Sequence, residues 1–112
     1  MREPARDKER LLHMLEAISN IHEFTQGVSR EVLFSDKMRY FAVVKNIEII
    51  GEAAHMLTED FRNSHTELPW KAIIGMRNVI VHDYINIHED LLWDTIQNDL
   101  APLENQLKEY LK

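Results

Sequence analysis

Three residues with distinct chemistry interrupt an apolar run in the second half of this 112-residue chain. Arg77, His82 and Tyr84 share the stretch that begins at Gly75, and Asn78 directly follows the arginine. Arginine keeps its charge and offers a planar fork of donors to phosphate oxygens, whereas histidine exchanges protons near neutral pH. The pair suits cleavage of a phosphodiester. In RNA the adjacent 2′-hydroxyl would supply the nucleophile, so a metal-free site needs only a base, an acid and a phosphate clamp.

A helix must position these side chains, and the pattern predicts one from about Pro69 to Ile85. Proline suits a first helical turn, where its missing N–H costs nothing. At about 100° per residue, Arg77 and Tyr84 fall on nearly the same face, and His82 is turned roughly 140° from Arg77. Arg77 and His82 can therefore act on one substrate in only three ways. The long arginine side chain reaches around the helix, the helix end is loosened, or the second residue comes from another copy of the chain. The apolar residues at helical intervals are Trp70, Ile73, Ile74, Ile80 and Val81.

The bland alternative is that these residues have no shared role. Arg77 would then be a surface residue whose stem lies along the helix, and His82 a solvated or hydrogen-bonded histidine at a helix end. A short spacing rule between two common residues does not by itself exclude this.

Length, composition and charge limit the possible functions. A chain of 112 residues without cysteine predicts one domain, residues 1–112, with neither disulfide nor zinc–cysteine site. We expect a cytoplasmic protein, because no signal peptide and no apolar run of about 20 residues is visible. The net charge of −6 is the wrong sign for a broad nucleic-acid surface. Any RNA site must therefore gather positive charge locally. If two copies of the motif meet, we expect Arg77, Lys71 and Lys45 each to be contributed twice.

The apolar patterning predicts an all-α antiparallel bundle of four main helices with one short extra helix. The first helix runs from about Ala5 to Phe24, a short turn follows from Ser29 to Phe34, and Ser35 caps the next helix. The second main helix spans about Asp36 to Arg62. A final helix runs to the C-terminus, and Pro102 should kink or split it.

The predicted second main helix has two apolar seams, one of which continues from Val43 through Ile47 and Ile50. Either it is a central helix between two neighbours, or part of its surface is covered by another subunit. A glycine such as Gly51 lowers the stability of a helix by about 1 kcal/mol relative to alanine. It therefore predicts a close approach by another backbone or side chain.

Two other groups of residues are candidates for a site. Glu52 and His55 have the Glu-x-x-His spacing of carboxylate-bridged di-metal bundles, but no second such pair exists, so we expect no metal. Glu52 is better interpreted as a polar residue that orients groups near the motif helix. The remaining histidines lack partners at informative spacing and are expected to be structural or solvated: His13, His22, His65 and His88.

The motif Arg77-x4-His82-x-Tyr84, with Asn78 after the arginine, resembles the signature of the HEPN superfamily, specifically the HepT-like toxins (DUF86). The stretch Ile49–Ala54 is similar to that family's second-helix signature. Leu68–Ile73, followed by Gly75–Asn78, is similar to the lead-in to its motif helix. The resemblance covers nearly the whole chain, and no motif residue is missing.

This resemblance implies a homodimer whose two motifs meet in a cleft and act as a metal-independent ribonuclease that needs no cofactor. It implies the toxin of a type VII HEPN/MNT toxin–antitoxin system. The expected catalytic residues are Arg77 and His82, with Asn78 and Glu52 in supporting roles. Tyr84 would receive AMP from a cognate nucleotidyltransferase antitoxin, which uses the ATP itself.

Two other functions stay open at this level. The chain could be a non-catalytic helical module that docks a nucleotidyltransferase or a nucleotide in the same cleft, or a plain dimeric scaffold. The complete set of motif residues favours the ribonuclease, because a scaffold has no need of all of them.

Overall fold

The structure, a computed structural model, describes residues 6–80 and 87–112, and within these ranges every element is helical. The all-α prediction is confirmed, with α1, α3, α5 and the α6–α7 pair as the four main parts of the bundle. Within the same ranges, no helix has the length and hydropathy needed to cross a membrane. The helices are α1 (Asp7–Thr25), α2 (Arg30–Ser35), α3 (Lys37–Met56), α4 (Glu59–Ser64), α5 (Trp70–Ile80), α6 (Glu89–Asp94) and α7 (Leu100–Tyr110), with a π-helical turn (Thr95–Asp99) between α6 and α7.

Helix α3 is the centre of the bundle and packs against α1 on one side and α5 on the other. This agrees with the prediction of a central helix between two neighbours, whereas cover by another subunit stays a prediction. Residues Val43, Ile47 and Ile50 of α3 and Met14 and Ile18 of α1 are fully buried. This burial of apolar surface is the main favourable term in folding such a domain.

Gly51 marks the closest approach of α3 to α5. A Cβ atom built at this position would lie 3.2 Å from the carbonyl oxygen of Ile74 and 3.4 Å from that of Ile73. The close approach predicted from the glycine is therefore confirmed, and the neighbour is the backbone of α5. The contact lies one turn before Arg77, so it sets how near that residue comes to α3.

The predicted second main helix was too long, because α3 ends at Met56 instead of continuing to Arg62. Leu57 and Thr58 have extended backbone, and the Thr58 side chain caps α4 by accepting from Phe61 N. The buried Asp7 carboxylate accepts from Thr58 N at 2.9 Å and from the Thr58 hydroxyl at 2.7 Å. This contact across 51 residues satisfies a donor that a continuous helix would have satisfied internally.

The short helix predicted near Ser29 is present as α2, and Ser29 caps it by accepting from Val32 N at 3.2 Å. Ser35 does not cap α3 as predicted but is the last residue of α2. Asp36 caps α3 instead, through a carboxylate oxygen 3.2 Å from Arg39 N. Both aspartate and serine are good N-caps, so the sequence alone left the choice ambiguous by one residue.

Pro102 lies in the first turn of α7, and the predicted split into separate helices is not seen, because α6, the π-helical turn and α7 follow one another without a break. Because proline has no N–H, the carbonyl four residues earlier, on Asn98, receives no helical hydrogen bond from it. The π-helical turn precedes this point, and Leu100 N donates to the carbonyl of Thr95 five residues back. Such single-turn π segments are a known way for a helix to absorb a local irregularity.

The predicted motif helix is described only in part. Helix α5 begins at Trp70 and is described to Ile80, and the predicted continuation to Ile85 falls on residues outside the described ranges. Beyond them, His88 N donates to the Ile80 carbonyl at 2.7 Å, and the His88 side chain caps α6. His88 thus has a structural role.

We predict that Asp7→Ala lowers the free energy of unfolding by about 2 kcal/mol, because it leaves the partly buried N–H and hydroxyl of Thr58 without their acceptor. Chemical denaturation followed by circular dichroism measures this loss. Ser29→Ala is the control, since water can replace that exposed cap and the expected loss is below about 1 kcal/mol. Equal losses in the two variants would contradict a special role for the Asp7 contact.

Candidate functional site

Of the predicted site residues, Arg77, Asn78 and Glu52 are described, whereas His82 and Tyr84 lie outside the described residues. Arg77 and Asn78 are exposed residues of the last described turns of α5, and Glu52 is exposed on α3. Arg77 and Glu52 line one cavity, and Asn78 is not among its lining residues. The structure thus brings together two of the three described site residues.

Arg77 forms an ion pair with a residue that the sequence did not single out. Its Nε lies 3.2 Å from Oε1 of Glu48 on α3, and Lys45 Nζ lies 3.9 Å from Oε2 of the same carboxylate. The Arg77 and Glu48 side chains are 47% and 31% exposed, so water screens the pair and its contribution to stability is small. Its effect is to hold the guanidinium against α3.

The cavity beside this ion pair has a volume of about 490 Å³ and lies between α1, α3 and α5. This falls within the usual range of about 300–1,000 Å³ for small-molecule sites. Three permanent cations and two carboxylates line it, so it carries a net charge of +1 in a chain of −6. The polar lining residues are Arg10, His13, Lys45, Glu48, Glu52 and Arg77.

Two cations were proposed from the sequence to accompany Arg77, and the structure separates them. Lys45 lines the Arg77 cavity, whereas Lys71 lines a different cavity with His55 and Arg62. Lys45 therefore accompanies Arg77 within one chain, and the expectation that Lys71 joins them where two copies meet stays a prediction.

The sequence also missed Arg10 and His13, which reach the cavity from α1. They are three residues apart and so share a helix face. That spacing was visible, but only the packing of α1 on α3 shows which cavity this face meets. His13, expected to be structural or solvated, lines the same cavity as the predicted catalytic arginine.

The other histidines have identifiable surroundings. His65 stacks on Phe61 with ring centroids 3.9 Å apart, and His22 lies 3.9 Å from a Glu104 oxygen. Glu52 and His55, weighed above as a metal-ligand pair, line different cavities. Among the residues that the structure describes, no group of three or more potential ligands is arranged to hold a metal ion.

The clearest pKa shifts in the described ranges belong to other parts of the bundle. Burial, followed by a 2.8 Å hydrogen bond to Glu67, raises the pKa of Tyr110. A hydrogen bond from Arg30 lowers the pKa of Asp90. None of these residues lines the Arg77 cavity, so they are structural contacts of the bundle.

Fold and cavity together define a small all-α protein with a local cationic site suited to an anion such as a phosphodiester. A sequence profile described as "Ribonuclease HepT-like" matches residues 14–110. The chain therefore belongs to the HepT-like ribonuclease family.

Curated relatives support this assignment over nearly their full length. "Putative RNase TTE0752" of Caldanaerobacter subterraneus subsp. tengcongensis is 37% identical over 91% of this chain and 91% of its own. "Probable ribonuclease HepT" of Thermococcus cleftensis is 35% identical over 94% of this chain and 96% of its own. "Putative RNase MJ1380" of Methanocaldococcus jannaschii is 33% identical over 88% of this chain and 90% of its own. No solved structure matches the chain.

We expect the Glu48 carboxylate to compete with a phosphate for Arg77, because it already pairs with the guanidinium. Removing one negative charge at this distance changes anion binding by roughly 1 kcal/mol in a water-rich site. We therefore expect Glu48→Gln to bind a 2′-O-methyl oligoribonucleotide, which the 2′-hydroxyl mechanism cannot cleave, about fivefold more tightly in fluorescence anisotropy at low salt.

Glu31→Gln is the matched control, because it removes the same charge from α2, outside the cavity. Weaker binding by Glu48→Gln would show that the ion pair holds Arg77 in its binding position and does not compete with the ligand.

Proposed function

We propose that this chain is a metal-independent ribonuclease and the toxin of a type VII HEPN/MNT toxin–antitoxin system that acts in the cytoplasm. Membership of the HepT-like ribonuclease family supports the reaction class. The observation that carries the proposal is that Arg77, the motif arginine, lines a locally cationic cavity within an acidic chain. Neighbouring cations would draw an RNA phosphate to that arginine.

The mechanism divides its tasks among the motif residues. Arg77 clamps the scissile phosphate and stabilises the charge that grows on its oxygens. His82 acts as general base or general acid, and the 2′-hydroxyl of the RNA attacks the phosphorus. Asn78 and Glu52 orient these groups. No cofactor takes part.

A homodimer would place two copies of the motif in one cleft. Several apolar side chains stay exposed on the single chain, among them Val79 at 59%, Phe41 at 51% and Met38 at 86%. Val79 lies two residues after Arg77 on α5, so a subunit that covered it would lie close to the site. The second His82 would then be available for the complementary proton transfer.

Regulation would act on Tyr84 through a cognate nucleotidyltransferase antitoxin, which consumes ATP. Attaching AMP to the phenol adds a bulky, negatively charged phosphodiester seven residues beyond Arg77. The adduct would compete with RNA for the guanidinium. A chain that docks the same partner without cleaving RNA is the alternative, and the experiments below separate the two.

We expect Arg77→Ala and His82→Ala each to lower RNA cleavage by 10²–10⁴-fold in the presence of a chelator, with unchanged helicity. Cleavage is followed on several RNAs by gel electrophoresis, and helicity by circular dichroism. Lys108→Ala and His22→Ala are controls outside the cavity and should keep full activity. Unchanged cleavage by His82→Ala would refute the mechanism, and an inactive wild-type chain would favour the docking module.

The same variants test the shared cleft. If each site needs both histidines, an excess of His82→Ala subunits should reduce wild-type activity more steeply than dilution with buffer. A strictly proportional loss, once subunit exchange is verified, would indicate independent sites.

Co-expression with the nucleotidyltransferase should add AMP mass increments to the intact protein, and Tyr84→Phe should abolish them. The variant should remain an active nuclease that the partner cannot silence covalently, because phenylalanine keeps the ring and removes only the acceptor oxygen. Tyr40→Phe and Tyr110→Phe are controls for the choice of tyrosine. Increments that persist in Tyr84→Phe, or modified protein that cleaves at the unmodified rate, would contradict this role.

A further inference from the structure

Helix α1 forms one wall of the Arg77 cavity, although no residue of the family-like motif lies on it. Arg10 and His13 line the cavity from α1, Lys45, Glu48 and Glu52 line it from α3, and Arg77 lines it from α5. The site thus contains a second arginine and a histidine from the same chain as the motif arginine.

The side chains of Arg10 and His13 do not hold the described helices together through polar contacts. Neither has a hydrogen bond or an ion pair with the rest of the described chain, and the Nε of Arg10 is buried without a partner. By contrast, Arg39 contacts the Asp36 carboxylate and donates to the Phe24 carbonyl at 2.6 Å. A buried N–H without a hydrogen-bond partner is costly unless water or a ligand accepts from it.

His13 could act as the second proton-transfer group, which the motif does not provide within one chain. A phosphodiester cleaved by its own 2′-hydroxyl needs one group to accept a proton and another to donate one. The motif provides a single histidine per chain. In the cavity, His13 lies among three cations that bind phosphate and two carboxylates that can accept from its ring N–H.

We propose that α1 completes the RNA site in the same chain, with His13, in place of the His82 of a second subunit, as the proton donor to the leaving group and Arg10 as a second phosphate-binding residue. The proposal rests on the proposed ribonuclease function. It adds two residues of the first helix to the catalytic site.

In the proposed step, the 2′-oxygen attacks the phosphorus and its proton passes to His82 as base. The bond between phosphorus and the 5′-oxygen breaks, and protonated His13 gives its proton to that oxygen. The products are a 2′,3′-cyclic phosphate and a free 5′-hydroxyl, and Arg10 and Arg77 both face the charge on the phosphate. The protonation states of the two histidines are restored by exchange with water.

A thio-substituted substrate tests the donor role. At the bond that the wild-type chain cuts, the leaving 5′-oxygen is replaced by sulfur, which leaves as a stable thiolate and needs no proton. His13→Ala should cleave normal RNA 10²–10⁴-fold more slowly than wild type but the thio-substituted RNA less than tenfold more slowly. His22→Ala on the same helix, outside the cavity, should leave both rates unchanged.

The outcomes separate the two proposals. If wild type cleaves neither substrate, the ribonuclease function fails and the His13 role fails with it. If wild type cleaves RNA but His13→Ala is equally active, or loses equal activity on both substrates, only the donor role is refuted. Selective rescue of His82→Ala by sulfur would also refute it, because His82 would then be the donor. His13→Gln, with the thermal transition of each variant, shows whether folding explains a loss.

Binding tests Arg10 independently of turnover. Arg10→Gln should weaken binding of a 2′-O-methyl oligoribonucleotide about tenfold and reduce the slope of log K against log salt by about 1. Lys8→Gln removes the same charge from an exposed position of α1 outside the cavity and should change binding less than twofold. Equal effects of the two substitutions would overturn the assignment of Arg10.

Discussion

The close contact of α3 with α5 at Gly51 is the constraint on which the site depends. With a carbonyl oxygen of α5 only 3.2 Å from where a Cβ would lie, a larger side chain would push the two helices apart. Glu48 and Glu52 lie within one turn of Gly51 on α3, and Arg77 lies one turn beyond the contacted backbone on α5. The glycine therefore allows the two helices to approach closely where these side chains meet in one cavity.

Charge is the second constraint, because the proposed ribonuclease function requires an acidic chain to hold an anionic substrate. Three cations from three helices line the cavity, while its two carboxylates limit the net charge to +1. The carboxylate of Glu48 also pairs with Arg77. Under the proposed function, a phosphate would compete with this carboxylate for the guanidinium.

The sequence predicted the features that periodicity within one helix determines. The seam of Val43, Ile47 and Ile50 indicated a central helix, and Gly51 indicated its close neighbour. It did not predict that α3 stops at Met56, where Thr58 caps the next helix and is held by Asp7, 51 residues earlier in the chain.

The sequence likewise predicted some residues of the site but not the contacts between them. The motif identified Arg77, but its ion pair with Glu48 and the approach of Arg10 and His13 arise from packing between helices. No spacing along the chain encodes such contacts. The roles of His82 and Tyr84 stay predictions from the motif and its family.

The site and the core use different residues, and this determines how the chain can be altered. None of the polar residues that line the cavity belongs to the buried core of α1, α3 and α5. Each of these polar side chains is exposed or only partly buried, so replacing it opens no enclosed void in the core. Gly51 is the exception, since it belongs to the packing and sets the cavity at the same time. Changes at this glycine would alter stability and RNA binding together, whereas changes at Arg10, His13 or Arg77 should separate them.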